Sequence, residues 1–383
     1  MTKKKKKMKT WKIVVLSLAL AGAAVVAFIG GRYYVDNKRP NFTEDYILYV
    51  YPDTLLGEIT DSLKANAGLI SEKSLWRCFG KMELIADDEA TKARLAVPDT
   101  VSDPHALLTA PLPERRLKPG KYVVTPQTTS IELARKLVFG WQTADNHLVL
   151  SSTLRKKDRI AQRISAQMMV DSATVMAALN DSAFLSKYGR TPEDVFGFLL
   201  KDSYEMYWTL SIREIFDRFQ KEYDRFWNEE RLAAAKAQGL TPRQVEIIAS
   251  IVTGESLQKQ EFPTIAGVYL NRFRKGMKLQ ADPTIAFCYD YTLDRILKKH
   301  LKFDSPYNTY MHVGLPPAPI NVPEKAALEA VLHPENHRYI YFCASSDFDG
   351  THDFAVTYSE HLRNARKFQR ALTARRRAAA ASN

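Results

Sequence analysis

The chain has 383 residues, enough for two or three modest domains, with 45% hydrophobic and 26% charged residues. That composition excludes a disordered or fibrous chain. The net charge is +12, but seven lysines fall within the first twelve residues, MTKKKKKMKTWK, so the remainder carries only +5 and gives no nucleic-acid signal.

Residues 13 to 30, IVVLSLALAGAAVVAFIG, contain no charge and a single polar break at Ser17. At about 1.5 Å per residue, this run spans roughly 27 Å, close to a bilayer core. The lysines hold residues 1 to 12 in the cytoplasm, and Trp11, Tyr33 and Tyr34 fit interfacial anchors. The rival is a cleaved signal peptide. Its apolar region is usually about 7 to 15 residues, and FIGGRYY offers no clear A-x-A site. The expectation is a single-pass helix in the cytoplasmic (inner) membrane. Everything after about residue 31 then lies on its outer, periplasmic or extracytoplasmic, face.

Residues 31 to 44, GRYYVDNKRPNFTE, read as a polar linker. YILYVYPDTLLGEITDSLKANAGLI then predicts strand, turn and helix, with Leu55, Ile59 and Leu63 on one apolar face. The pattern repeats at residues 117 to 140. A Pro-Gly turn precedes the strand KYVV, and a helix follows with Ile131, Leu133, Leu137 and Val138, stopped by Gly140. Residues 85 to 113, rich in Asp, Ala and Pro, read as a loop or insertion. Residues 45 to 145 therefore form a small α+β module. Beyond it, 146 to 372 predicts a mixed α+β domain. It opens with the strand LVLSST and carries helices over 172–189 and 209–237. Residues 373 to 383 form a basic, Ala-rich frayed tail.

Cys78, Cys288 and Cys343 form neither a CxxC pair nor a dense framework. One disulfide is open to an exported chain, but the odd count leaves a thiol over. Burial as small apolar residues is the favoured reading.

The chemistry centres on IASIVTGES. TPRQ starts a helix as a capping box, with Thr241 as N-cap and Pro242 at N1. Val245, Ile248 and Val252 share a face, and Glu255 falls on that apolar stripe. Burial and the negative helix terminus both raise a carboxyl pKa there. The proton so retained suits a general acid for a glycosidic bond. Spacing alone favours the structural alternative, an N-cap or salt-bridging glutamate at the helix end, paired with Arg272 or Lys259.

Further along, SPYNTYMHVGLPPAPINVP offers Tyr307, Asn308, Thr309 and Tyr310 as sugar-binding side chains on a stiff proline-rich loop. HPENHRYIYFCA and HDFAVT predict a β-hairpin. His333, His337, His352 and His361 cluster in sequence. Pro334 breaks the helix that an H-x3-H metal pair needs, so capping and loop roles are expected and no metal is assigned.

IASIVTGES, AGVYLNRFRKGMKLQADPT, SPYNTYMHVGLPPAPINVP, HPENHRYIYFCA and HDFAVTYSEH resemble, in order, the motifs of the endolytic murein transglycosylases, the YceG-like or MltG family. The likeness covers roughly residues 150 to 370, and the N-terminal module is similar to that family's LysM-like subdomain. The resemblance implies a membrane-anchored lyase that cuts peptidoglycan glycan strands internally, between N-acetylmuramic acid and N-acetylglucosamine. It leaves 1,6-anhydro-muramyl ends and uses no cofactor. Glu255 matches the family's catalytic glutamate. The family often carries another acid just before it, where this chain has Thr253 and Gly254, and Ala318 replaces a glycine in GLPPAPI. Gln280, Asp282, Tyr307, Asn308 and Thr309 are expected to line the groove. Arg272 either supports the loops or touches substrate. Peptidoglycan strands are the expected partner, and cell-wall synthases are partners by resemblance only. Two other readings stay open: a non-catalytic, membrane-tethered peptidoglycan-binding scaffold, and a metal-dependent cell-wall hydrolase.

Overall fold

The computed structural model describes residues 2–52, 54–86, 117–143, 146–151 and 154–381. The expected insertion at 85–113 lies almost wholly outside the described residues. The chain divides into two compact units. One comprises residues 1–146 with 205–209, and the other 147–204 with 210–383.

The first unit opens with α1, Thr2–Asn37. Its portion Trp11–Asn37 is long and apolar enough to cross a membrane, with mean hydropathy 2.6. The helix outruns the apolar stretch, so the polar linker expected from residue 31 starts only after Asn37. The reason is a dock: Asp36 is buried and accepts hydrogen bonds from Ser74 Oγ at 2.8 Å and from the Arg77 guanidinium. Cys78 is buried beside it.

Strand β1, Tyr46–Val50, pairs antiparallel with β2, Gly120–Val124, placing Leu48 opposite Tyr122 and Tyr46 opposite Val124. Alternation sends Leu48 and Val50 inward and leaves Ile47 and Tyr49 exposed. Helices α2, Leu56–Asn66, α3, Glu72–Ala86, and α4, Ser130–Phe139, supply the rest of this core, with Ile59, Leu63, Leu75, Phe79, Leu133 and Leu137 buried. Each such side chain stabilises the fold by roughly 1.5–3 kcal/mol relative to exposure. Leu55 caps α2 and stays exposed, unlike the two residues that share its predicted face. Thr129 caps α4 through the Glu132 amide, and Gly140 ends it at φ 72°, a left-handed conformation that favours glycine.

The second unit begins with β3, His147–Val149. Helices α5, Lys157–Ser165, α6, Ser172–Ala178, α7, Ser182–Ser186, and α8, Val195–Phe198, follow. Strand β4, Ser203–Glu205, pairs with β3. Two predicted helices are broken. Residues 172–189 split because Asp181 caps a new start through the Ala183 and Phe184 amides. Residues 209–237 split into α9, Ile212–Phe226, and α10, Glu229–Ala237, because Asn228 caps the second through the Arg231 amide.

The core of this unit is built from α11, Pro242–Glu255, α12, Phe262–Arg274, and α14, Lys325–Leu332, with the short α13, Asp282–Cys288, set between the latter two in the chain. The hairpin is β5, Tyr341–Ala344, against β6, His352–Ala355. The last helix, α15, runs Tyr358–Ala381, so the residues expected as a frayed tail continue a helix through 381.

Candidate active site

Helix α11 starts as its residues dictate. The Thr241 hydroxyl accepts from the Gln244 amide, Gln244 Oε1 accepts from the Thr241 amide at 2.9 Å, and Pro242 occupies the first turn. Val245, Ile248, Ile251 and Val252 are buried in the core. Glu255 is the last helical residue, and its carboxyl sits in the floor of a cleft.

The loop 313–324 clamps α11 from the side. Ser250 Oγ accepts from the Ile320 amide at 3.1 Å, Asn321 Nδ2 donates to the Ser250 carbonyl at 2.8 Å, and Thr253 Oγ1 accepts from the Glu324 amide at 3.0 Å. The stiff proline-rich segment therefore fixes the helix that carries Glu255. Ala318 is buried within it.

Helix α13 comes close to the end of α11 because residue 254 is glycine. A Cβ there would lie 2.7 Å from Pro283 Cβ. Asp282, next to that proline, consequently lines the same cleft as Glu255. The Asp282 carboxylate accepts from the Tyr310 hydroxyl at 2.6 Å.

Glu255 accepts a short hydrogen bond from the Tyr269 hydroxyl, delivered by α12. Neither Arg272 nor Lys259 pairs with it: Lys259 reaches Glu324 at 3.1 Å. Part of the Glu255 side chain faces solvent in the cleft, yet its carboxyl is ringed by protein. That burial raises its pKa to about 8. The Asp282 charge raises it too, and the Tyr269 bond opposes both. At neutral pH the group holds its proton.

The cleft encloses about 490 Å³. Gln280, Asp282 and Arg272 line it, as do Tyr269, Tyr310, Tyr341, Phe342, His352 and His361. Gln280 sits at φ 50°, a strained conformation for a non-glycine residue, held by its amide's bond to the Thr309 carbonyl at 3.1 Å.

Three expected groove residues do not line the cleft. Asn308 is fully buried and donates to the Leu301 and Phe303 carbonyls, at 3.1 and 2.7 Å, while accepting from the Tyr310 amide. Thr309 is buried and accepts from the Ala281 amide at 3.0 Å. Tyr307 packs its ring 4.6 Å from that of Phe287. All three shape the loop that presents Tyr310. Arg272 lines the cleft, but its guanidinium is buried and donates to the Ile340 and Leu279 carbonyls at 2.6 and 2.7 Å. It joins the floor to the hairpin.

The hairpin wall was not assigned from the sequence. Tyr341 and His361 stack at 5.4 Å, and His352 Nδ1 lies 2.9 Å from Glu261 Oε2. The aromatic content of YIYFCA was the available signal. Among the clustered histidines, His337 Nε2 contacts the Thr264 carbonyl at 2.9 Å and its Nδ1 accepts from the Tyr339 amide. No group of three metal-ligating side chains converges among the described residues. All three cysteines are free. Cys288 and Cys343 are half-buried, against the expectation of full burial: Cys343 belongs to the cleft wall, and Cys288 ends the short α13.

Comparison with known proteins matches the chain to one family. The YceG-like family profile matches residues 48–367. An endolytic murein transglycosylase of Bacillus subtilis is 30% identical over 225 residues, covering 55% of this chain and 62% of that protein. One from Streptococcus pneumoniae strain D39 is 25% identical over 278 residues, covering 65% of this chain and 50% of that protein. The chain thus spans between half and about three fifths of the length of these curated relatives. A crystal structure of a YceG-like protein from Listeria monocytogenes shares the fold, with TM-score 0.50 and 24% identity over 84% of this chain and 99% of that one. The chain belongs to the YceG-like family.

Proposed function

We propose that the protein is a membrane-anchored endolytic transglycosylase of peptidoglycan, with Glu255 as its one acid–base group. The observation that carries this reading is the Glu255 carboxyl in the floor of an aromatic-walled cleft, held by the Tyr269 hydroxyl, where burial raises its pKa. The names of the curated relatives support the substrate class. Residues 13–30 act as the anchor and the N-terminus is cytoplasmic, as the lysine-rich start supports. The first unit serves as a LysM-like module, and cell-wall synthases are candidate partners.

In the reaction, Glu255 donates its proton to the glycosidic oxygen. The bond to the muramyl C1 breaks, and positive charge develops at that carbon. The Glu255 carboxylate then takes the proton of the same sugar's C6 hydroxyl, whose oxygen closes on C1. The proton lost in the first step is regained in the second, and no water is consumed. One carboxylate suffices because the nucleophile is intramolecular and already oriented. The Tyr269 hydroxyl stabilises the carboxylate between the two steps. Asp282 shares the cleft, and its charge holds the proton on Glu255 beforehand. The Tyr310 ring, which lines the cleft, offers a stacking face to a sugar ring.

The test incubates the detergent-solubilised full chain, and its Glu255→Gln variant, with purified peptidoglycan and identifies fragments by mass spectrometry. Anhydro-muramyl ends from the parent and none from the variant are expected. Reducing ends would replace this reading with hydrolysis. Binding without cleavage by either protein would replace it with a scaffold.

A further inference from the structure

A second cavity of about 270 Å³ shares Glu255 and Asp282 with the cleft and is otherwise lined by Arg155, Gly254, Pro283, Ala286, Tyr291 and Ile296. Arg155 is the one cation on this lining. Its guanidinium carbon lies 5.2 Å from the centre of the Tyr291 ring. The Tyr291 hydroxyl in turn donates to the Ile320 carbonyl, so the ring under Arg155 is fixed to the loop that clamps α11.

Arg155 Nε is buried and has no hydrogen-bond partner among the described residues. No carboxylate among the described residues forms an ion pair with it. Its neighbour Lys156 takes Asp290 at 2.6 Å, and of the two acids in the cavity lining Asp282 is engaged by Tyr310 and Glu255 by Tyr269. A buried, charged donor left unmatched is costly, and a guanidinium is shaped to receive an anion through two parallel N–H groups. The position beside the acid Glu255 says which anion. Sugar rings of a murein strand are neutral, and its recurring fixed anions are carboxylates carried on the muramyl 3-O-lactyl group.

We propose that Arg155 is the anion-recognising residue of a subsite beside Glu255, and that its ligand is a carboxylate on the lactyl substituent of a muramyl residue. The carboxylate is either the free lactyl group of a denuded strand or one borne by the peptide stem. The proposal rests on the glycan-cleaving reading above. It adds a specificity determinant, since a strand presenting the carboxylate is held in register with Glu255.

The test measures binding without turnover, using the detergent-solubilised full chain carrying Glu255→Gln. Four soluble ligands are titrated: denuded strands, peptide-bearing strands, and each of these after its carboxylates have been amidated. The expected result is at least ten-fold tighter binding of carboxylate-bearing than of amidated strands. Adding Arg155→Gln abolishes that ratio and leaves affinity for amidated strands unchanged. Adding Arg155→Lys, which keeps the charge and loses the fork, retains a reduced ratio. The arm that shows the ratio, denuded or peptide-bearing, names the source of the carboxylate. A ratio that survives Arg155→Gln, equal weakening on both forms, or no discrimination in either arm would overturn the proposal. Cleavage is not the readout, so failure of the lytic reaction, judged by the absence of anhydro ends, is separately visible.

Discussion

The hydroxyl of Tyr269, on α12, donates a hydrogen bond to Oε1 of Glu255 at the end of α11. Burial and Asp282 keep the proton on Glu255, and Tyr269 favours its loss. Under the proposed reaction the site joins two opposing demands, an acid before bond cleavage and a stabilised carboxylate after it.

Replacing Tyr269 by Phe separates those demands. The loss of the bond raises the Glu255 pKa further above about 8, so the alkaline limb of kcat/KM moves to higher pH. Meanwhile kcat at pH 7 falls, because the carboxylate formed after proton donation loses its partner. A hydrogen bond to a charged group is worth roughly 1.5–3 kcal/mol, which corresponds to about a 10- to 150-fold loss. A pH–rate profile for both proteins decides it, and an alkaline limb that stays put or moves down would refute the assignment.

The same pKa shift makes Glu255 a stability liability. Its folded value, about 8, lies above the ordinary 4.5. Between those two pH values the folded chain keeps a proton that the unfolded chain releases, so stability falls as pH rises. Glu255→Gln removes this dependence. The variant should match the parent near pH 4.5 and exceed it increasingly up to pH 8. Discounting for partial solvent access, the gain is on the order of 2–4 kcal/mol. Urea denaturation at pH 5, 6.5 and 8 measures it, and a pH-independent difference would contradict the linkage.

The inward position of Glu255 was legible in the sequence because its cause is local, three turns of apolar periodicity; its chemical role was not, since spacing alone left a salt-bridging glutamate open. The capping box of α11, the β1 and β2 strands and the Gly140 stop were legible for the same reason. The cleft wall was not. Whether Asn308 or Tyr310 faces the cleft depends on which carbonyls lie within reach, and the Leu301 and Phe303 carbonyls claim Asn308. Polar and aromatic residues in one loop carry the same composition signal whichever way they point. The close approach of Gly254 to Pro283 joins residues 29 apart, and nothing in either segment announces the other.

That approach predicts a sensitive substitution remote from any substrate contact. Gly254→Ala places a methyl 2.7 Å from Pro283 Cβ and forces α11 and α13 apart by about an ångström. Glu255 and Asp282 then separate, and misplacement on that scale can cost about 100-fold in rate. Stability should drop by only ~1–3 kcal/mol, as for other overpacked sites. Turnover measured beside a thermal melt tests this, and full activity in a folded variant would show that the spacing of α11 and α13 is not critical.

Nine residues before Glu255, α11 carries a second buried acid with a different role. Glu246 receives both Arg190 nitrogens, at 2.8 and 3.1 Å, and the Tyr223 hydroxyl at 2.6 Å, with Arg190 4.6 Å above the Tyr223 ring. Gly197 on α8 leaves room for it, since a Cβ there would lie 2.3 Å from Glu246 Oε2. Every Glu246 oxygen is matched, so this carboxylate is tied into the scaffold and is unavailable for chemistry. Truncating one partner, as in Glu246→Ala, strands a buried guanidinium and should cost about 3–5 kcal/mol. The double variant Arg190→Met with Glu246→Leu removes both charges while keeping volume, and should recover most of that loss. Turnover per folded molecule should stay near that of the parent in both, because the pair lies outside the cleft lining. Chemical denaturation of the two singles and the double gives the coupling energy. Additive losses would mean that the pair contributes as separate side chains and that α11 is held by its apolar face alone.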